Sequence, residues 1–322
     1  MPSNKIPILY IAGCDRSGST VIDQILGQIP GWFTVGELAD IWDRGGLLDG
    51  GRAVHGLCGC GSALKDCDFW RQVFIEAFHQ TPGRFDFAAA SALRTHCARF
   101  RHLLFLQNTV MRGLVRPSVD AYVELTRKLY QAIGKTTGAK VIVDSSKHPS
   151  HAHILKLTGA FDLFVVHLVR DPRGCAYSWL KPKPHPDPAI KEFPTVHPAR
   201  TSVNWMFENS AIRTLWGSSE GRYLLLRYED FIARPEENVS RIIQFVGQPA
   251  SPPPFLNTHA LALAPGHGVS GNTIRFEAGP VRLKLDDKWR TAIKPRHRWL
   301  VTALTSMALP TYGYDFGFEP RK

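Results

Sequence analysis

The residues best suited to chemistry lie in one short stretch, GCDRSGST, from Gly13 to Thr20. It follows an apolar run, ILYIA, and precedes VIDQILGQI, which has helical periodicity. Strand, glycine loop and helix in that order build a phosphate-binding loop, whose usual pattern is G-x-x-x-x-G-K-[ST]. Gly13, Gly18 and Thr20 fit it. Ser19 stands where the lysine belongs, and Arg16 lies inside the loop. A helix N-terminus behind such a loop offers several N–H groups to an anion. Ser17, Ser19 and Thr20 add hydroxyls. An NTPase needs the lysine for its β- and γ-phosphates and a carboxylate for Mg²⁺. Asp144, at a strand end, could imitate that carboxylate, but the lysine is absent from its usual place. The simplest ligand has a single 5′-phosphate in the cradle. Arg16 beside it would neutralise charge on a bridging oxygen as it leaves, an effect of about 3–4 kcal/mol for a well-placed donor. The plain alternative is an arginine in a surface ion pair.

A second anion site is written in VVHLVRDPRGCAYSW, Val165 to Trp179. Arg170 leaves the carboxyl end of a strand, where doubly wound folds bind ligands. Arginine grips a phosphate with two donors. Ser178 lies two turns along the following helix, on a face able to meet the same group. Arg170 in a helix-capping pair with Asp171 or Asp144 is the competing reading.

The elements that must position these residues alternate. Apolar runs predict strands over about 6–13, 140–144 (KVIVD), FDLFVVHLV and RYLLLRY. Helical stretches separate them, the first reaching about Gln28 and another starting at the Asp171–Pro172 cap. Gly31 to Asp43 reads as an irregular passage. Residues from about Trp70 to Lys135 read as mostly helical, LRTHCARFRHLLFLQNTVMRGL being the clearest stretch. Six prolines between 182 and 198 exclude regular structure there. Residues 250–292 are loop-like, and a last helix lies near 294–309. The pattern predicts an α/β fold: a P-loop-type, doubly wound parallel sheet flanked by helices. We expect one domain over 1–322, with a helical, cysteine-containing insertion at about 45–137.

With 322 residues, 44% apolar and 21% charged, the chain has the balance of a globular protein. No apolar run approaches the roughly 20 residues that span a bilayer. The N-terminus lacks signal-peptide order, so the expected location is cytoplasmic. The net charge of +11 is scattered and forms no long basic run. It fits a polyanionic small ligand better than nucleic acid or membrane. Of six cysteines, Cys58, Cys60 and Cys67 cluster in LCGCGSALKDCDFW. Three thiols without a histidine at finger-like spacing are a weak zinc signal, and His55 gives an unconvincing fourth ligand. A reduced cluster or one local disulfide is the expectation.

Arg16-Ser17-Gly18-Ser19-Thr20 resembles the 5′-phosphosulfate-binding loop of sulfotransferases that depend on PAPS (3′-phosphoadenosine 5′-phosphosulfate). The segment with Arg170 and Ser178 resembles that family's 3′-phosphate-binding segment. Arginine at position 16 is closest to the carbohydrate, tyrosylprotein and bacterial branches. The resemblance runs from about residue 6 to residue 290. It implies PAPS as sulfonate donor, with no catalytic metal and a small-molecule, lipid or sugar hydroxyl as acceptor. LRYEDF resembles the family's segment with a tyrosine near the nucleotide, which implies Tyr228. VDSSKHP resembles the strand end carrying an active-site lysine, which implies Lys147. GHGVSGNTIRF resembles a late loop over the nucleotide, which implies Gly271, Asn272 and Arg275. Glu37, in VGELAD, stands where some branches place a glutamate base; otherwise it is a helix N-terminal charge. His267 is the best histidine alternative, with His148, His151 and His153 behind it. Asp15 departs from the pattern and must turn away from the phosphate or pair with a cation. Two rival readings stay open. One is a nucleotide kinase or NTPase with a degenerate loop; the other is a non-catalytic nucleotide-binding relic.

Overall fold

In the computed structural model, which describes residues 5–45, 56–107, 116–182, 195–253 and 255–317, five strands pair in parallel. They are β1 (Ile6–Gly13), β2 (Trp32–Thr34), β3 (Val141–Lys147), β4 (Phe161–Val169) and β5 (Tyr223–Arg227). Their spatial order is β2-β3-β1-β4-β5, so the strand before the glycine loop is central. Helices cover both faces, which is why β1 reads as a continuous apolar run. Leu9 and Ile11 pack with Ile22 and Ile25 of the helix Ser19–Leu26. Ile8 and Tyr10 face the other way, toward Tyr130 and Ile133 of the helix Arg116–Thr137. Each of these β1 residues is fully buried.

The sheet also sets the height of one polar residue. β1 and β3 run in register from Ile8↔Ile142 to Tyr10↔Asp144, then slip so that Ala12 meets Lys147. That bulge sets Lys147 opposite Ala12, one residue before the loop begins at Gly13.

Three sequence expectations need correction. The passage after Gly31 contains β2, an edge strand too short for periodicity to reveal. The 250–292 region holds an antiparallel sheet of Phe255–Asn257, Ala260–Leu263 and Gly279–Arg282. The stretch beginning LRTHC is not one helix. Phe87–Cys97 ends at Ala98, whose φ of −121° leaves helical geometry, and a short helix Leu103–Gln107 follows. Arg94 and Arg99, either side of the break, both bind Asp43. Most of the proline-rich segment, at 183–194, lies outside the described residues, as does His55.

Asp144 does not stand free to hold Mg²⁺. Its carboxylate accepts from the Tyr130 hydroxyl and from the Ser146 N–H at 2.7 Å. His151 lies against the same pair, its Nε2 3.0 Å from the Tyr130 hydroxyl.

His167 is part of the core. Its Nδ1 lies 2.7 Å from the Tyr223 hydroxyl and its Nε2 2.8 Å from Asn209 Oδ1. Burial pushes its pKa from the ordinary 6.5 down to about 4, although the Asn209 bond acts the other way. The folded form therefore binds fewer protons than the unfolded chain between those values. Its contribution, about 3 kcal/mol, is present above pH 6.5 and is lost as pH falls toward 4. NMR titration should find the His167 ring still neutral at pH 5; a midpoint near 6.5 would contradict this packing.

Candidate active site

Each strand of the sheet ends on the same edge, and each delivers one candidate residue there. Along the edge come Glu37 after β2, Lys147 ending β3, the Gly13–Thr20 loop after β1, Arg170 after β4 and Tyr228 after β5. This is the carboxyl edge, where open α/β sheets take ligands.

The loop is built to receive an anion. Gly18 has φ 93° and caps the helix Ser19–Leu26. Among the described residues, the N–H groups of Gly18, Ser19 and Thr20 find no backbone partner. The Ser17 hydroxyl is buried with no hydrogen-bond partner. Unpaired donors at a buried helix start require a ligand or water. A phosphate fits that donor set.

Beyond the loop the second site is assembled. Arg170 is buried, its guanidinium 4.7 Å from the centre of the Tyr228 ring. One of its nitrogens donates to the Arg16 carbonyl at 3.0 Å. The other donates to the carboxylate and carbonyl of Asp286, at 3.1 and 3.0 Å. Neither Asp171 nor Asp144 pairs with it; Asp171 is held by Arg173 at 2.7 Å. A Cβ at Gly174 would lie 3.2 Å from Arg170 Nε, so the arginine crosses the helix Pro172–Leu180 at that glycine. Ser178 is one turn further along the same face and is buried. Tyr228 also lies against the loop, since a Cβ at Gly18 would be 2.5 Å from its ring.

On the other side of the loop, Lys147 and Glu37 form a close ion pair. Asp15 lies 3.7 Å from the same ammonium, which meets the requirement that it pair with a cation. Burial raises the Glu37 pKa, while Lys147 opposes the rise. The segment bearing Glu37 is tied down from three directions. Glu37 N–H donates to Val269 O at 2.7 Å. Ala39 N–H donates to Ser146 Oγ at 2.9 Å. Asp40 accepts from buried Arg94 at 2.9 Å, a residue of the insertion. Among the described residues four non-glycines have positive φ, and three are here: Arg16 at 66°, Lys147 at 68° and Ser270 at 60°. Such backbone costs about 1–3 kcal/mol per residue and collects at functional sites.

The late loop divides. Gly271 lies beside Glu37 and Thr20, 3.4 Å from an oxygen of each by its would-be Cβ. Asn272 N–H donates to Thr20 Oγ1 at 3.3 Å, and its side chain caps the turn Thr273–Phe276. Arg275 instead turns inward, donating to the carbonyls of Gly271 and Leu57. Arg16 lies over the Trp179 ring at 4.4 Å. Trp179 lines a cavity of about 380 Å³ with Asp15, Trp205 and Glu208. His148 lines a neighbouring cavity of about 480 Å³ that also reaches Glu208. Sequence reading missed Glu208, a helix residue in no motif. Burial pushes its carboxyl up to about 8, the charge of Asp15 adding to the effect. It also missed Asp286, which reaches Arg170 from 116 residues away.

His267 is turned toward the cysteine cluster. Its Nδ1 lies 3.4 Å from the sulfurs of both Cys58 and Cys67. The cysteines are free thiols, not a local disulfide: Cys58 and Cys67 sulfurs are 3.6 Å apart, those of Cys60 and Cys67 3.8 Å. A disulfide needs about 2.05 Å.

Comparison with known proteins agrees with this geometry. The family model described as "Sulfotransferase family" matches residues 7–252. Carbohydrate sulfotransferase 2 of Mus musculus and that of Homo sapiens are each 26% identical over 191 residues. Those residues cover 48% of this chain and 36% of either relative, so the match spans about a third of their length. The sulfotransferase domain from the curacin biosynthetic pathway shares the fold. It is 17% identical with a TM-score of 0.51, covering 97% of this chain and all of that one.

The loop geometry makes one direct prediction. Gly18→Ala puts a methyl group into the Tyr228 ring on backbone that an L-residue rarely adopts. It should destabilise the fold by about 1–3 kcal/mol, read as a lower midpoint in thermal unfolding. An unchanged midpoint would show that the tyrosine does not lie on the loop.

Proposed function

This chain belongs to the sulfotransferase family, and from that premise we propose that it moves the sulfonate of PAPS to an acceptor hydroxyl. The observation that carries the reading is the pair of anion sites bridged by Tyr228. The tyrosine lies on Gly18 at one site and under Arg170 at the other. A nucleotide with one phosphate at each end of its ribose fits two separated sites. A nucleoside triphosphate would need a run of donors and a metal-holding carboxylate instead.

When bound, PAPS supplies a sulfonate on a phosphate leaving group. The Gly18–Thr20 N–H groups and the Ser17 hydroxyl hold the 5′-phosphate. Arg170 and Ser178 hold the 3′-phosphate, for which Asp286 must release the guanidinium. Asn272 steadies the rim of the loop through Thr20. Glu37 takes the proton from the acceptor hydroxyl. Lys147 opposes the upward push of burial on Glu37 and so favours its basic form. Its ammonium, beside β1 where the loop starts, stabilises the charge that grows on the transferring group, and Arg16 does so at the leaving oxygen. Proton transfer by a positioned side chain is worth about 10²–10⁴ in rate. The acceptor is proposed to be a small-molecule, lipid or sugar hydroxyl, entering by the cavity lined by Trp179 and Glu208.

Calorimetric titration tests the nucleotide. Adenosine 3′,5′-bisphosphate should bind more tightly than Mg·ATP or ADP, and Arg170→Ala should weaken it at least about tenfold, the loss of one charge-assisted hydrogen bond. Preference for Mg·ATP would return the loop to the kinase reading. The base is tested once an acceptor is in hand. Because Glu37 acts deprotonated and its pKa is raised, kcat/KM should climb with pH through a midpoint above the ordinary 4.5. Glu37→Gln should abolish that limb and lower the rate by about 10²–10⁴. A variant with the parent's rate would remove Glu37 from the mechanism.

A further inference from the structure

We propose that Cys58, Cys60, Cys67 and His267 bind one structural zinc ion, which clamps the insertion onto the late loop beside Glu37. The four ligand atoms lie within 4.8 Å of one another. A tetrahedral zinc site with Zn–S near 2.3 Å and Zn–N near 2.05 Å sets S···S at about 3.8 Å and S···N at about 3.6 Å. The separations in the structure are 3.6 and 3.8 Å between sulfurs and 3.4 Å from His267 Nδ1 to two of them. Three thiols and one imidazole, with no position left for water, are a closed structural set. An iron–sulfur cluster would ordinarily take four cysteines.

The surroundings hold the ligands in place. Cys58 N–H donates to Ser62 O at 2.9 Å, and Gly61 N–H returns to Cys58 O at 2.9 Å, so the first two cysteines sit on a tight turn. Cys67 caps the helix Asp68–Phe78. Phe69 stacks on the His267 ring at 4.8 Å, and Trp70 Nε1 donates to the His267 carbonyl at 3.0 Å. Gly59 N–H donates to Gly268 O at 3.0 Å. On binding, the three thiols release their protons to solvent, and His267 binds through Nδ1 with its proton on Nε2.

The clamp joins residues 200 positions apart. Two residues beyond His267, Val269 pairs with Val35 and Glu37 at 2.9 and 2.7 Å, and Gly271 follows against Glu37 and Thr20. Zinc therefore fixes the loop that positions Glu37 without touching any reacting atom.

The test uses the full chain, produced without a histidine tag and kept reduced. Elemental analysis should find about one zinc per chain. Cobalt exchanged for it should give the intense visible bands of a tetrahedral cobalt–thiolate site. Cys60→Ser, at the exposed ligand, and His267→Gln should each weaken zinc binding at least about tenfold. If a variant fails to fold, the parent chain carries the test. Chelation should free three thiols to a thiol reagent. It should also speed hydrogen exchange at the Glu37 and Val269 N–H groups about tenfold or more, the signature of local opening. A chain that takes up no zinc when offered it, or that holds zinc equally well in both variants, overturns the proposal. So does a Cys60–Cys67 disulfide in the freshly purified, unreduced protein.

Discussion

The site depends on one constraint, the parallel pairing of β1 with β3 on one side and β4 on the other. Parallel strands all end on the same edge. A loop at the end of the central strand must then have neighbours on both sides, supplied by the adjoining strand ends. Here β3 and β2 bring Lys147 and Glu37, and β4 and β5 bring Arg170 and Tyr228. The edge is thus divided by the loop into a charge-paired half and an arginine–tyrosine half. No long-range design beyond strand order is needed to keep them apart.

The charge-paired half is under restraint. A carboxylate and an ammonium are mostly withdrawn from water, where removing one partner would leave an expensive buried charge. Positive φ at Arg16, Lys147 and Ser270 adds strain in the same place. Packing elsewhere must offset both. The β3 bulge, the Arg94–Asp40 pair and the Val269 ladder supply that restraint. The insertion has a role here, because Arg94 and the cysteine turn belong to it.

What the sequence revealed is what lies close together along the chain. The loop, the strand ends at Arg170 and Lys147, and LRYEDF are each a strand followed by its turn; periodicity exposes the strands, and resemblance to the family pointed to Lys147 and Tyr228. The alternation of strands and helices was enough for the parallel sheet. What stayed hidden is non-local. Asp286 meets Arg170, and His267 meets Cys58 and Cys67, across gaps of 116 and about 200 residues. No spacing rule links such positions, so the cysteines looked short of a fourth ligand. β2 was missed because three residues carry no period. The stretch from Arg94 to Leu106 showed a helical period, but the helix stops at Ala98, and Arg94 and Arg99 on either side both pair with Asp43. Glu208 gave no signal, since its chemistry comes from burial rather than from its neighbours in sequence.

The central claim is that one nucleotide spans the glycine loop and the arginine–tyrosine site. A crystal structure with adenosine 3′,5′-bisphosphate tests it most directly. The 5′-phosphate should lie on the Gly18–Thr20 N–H groups and the Ser17 hydroxyl. The 3′-phosphate should lie on Arg170 and Ser178, with Asp286 moved off the guanidinium. A nucleotide bound elsewhere, or one bound in the loop with the Arg170–Asp286 pair intact, would contradict the account.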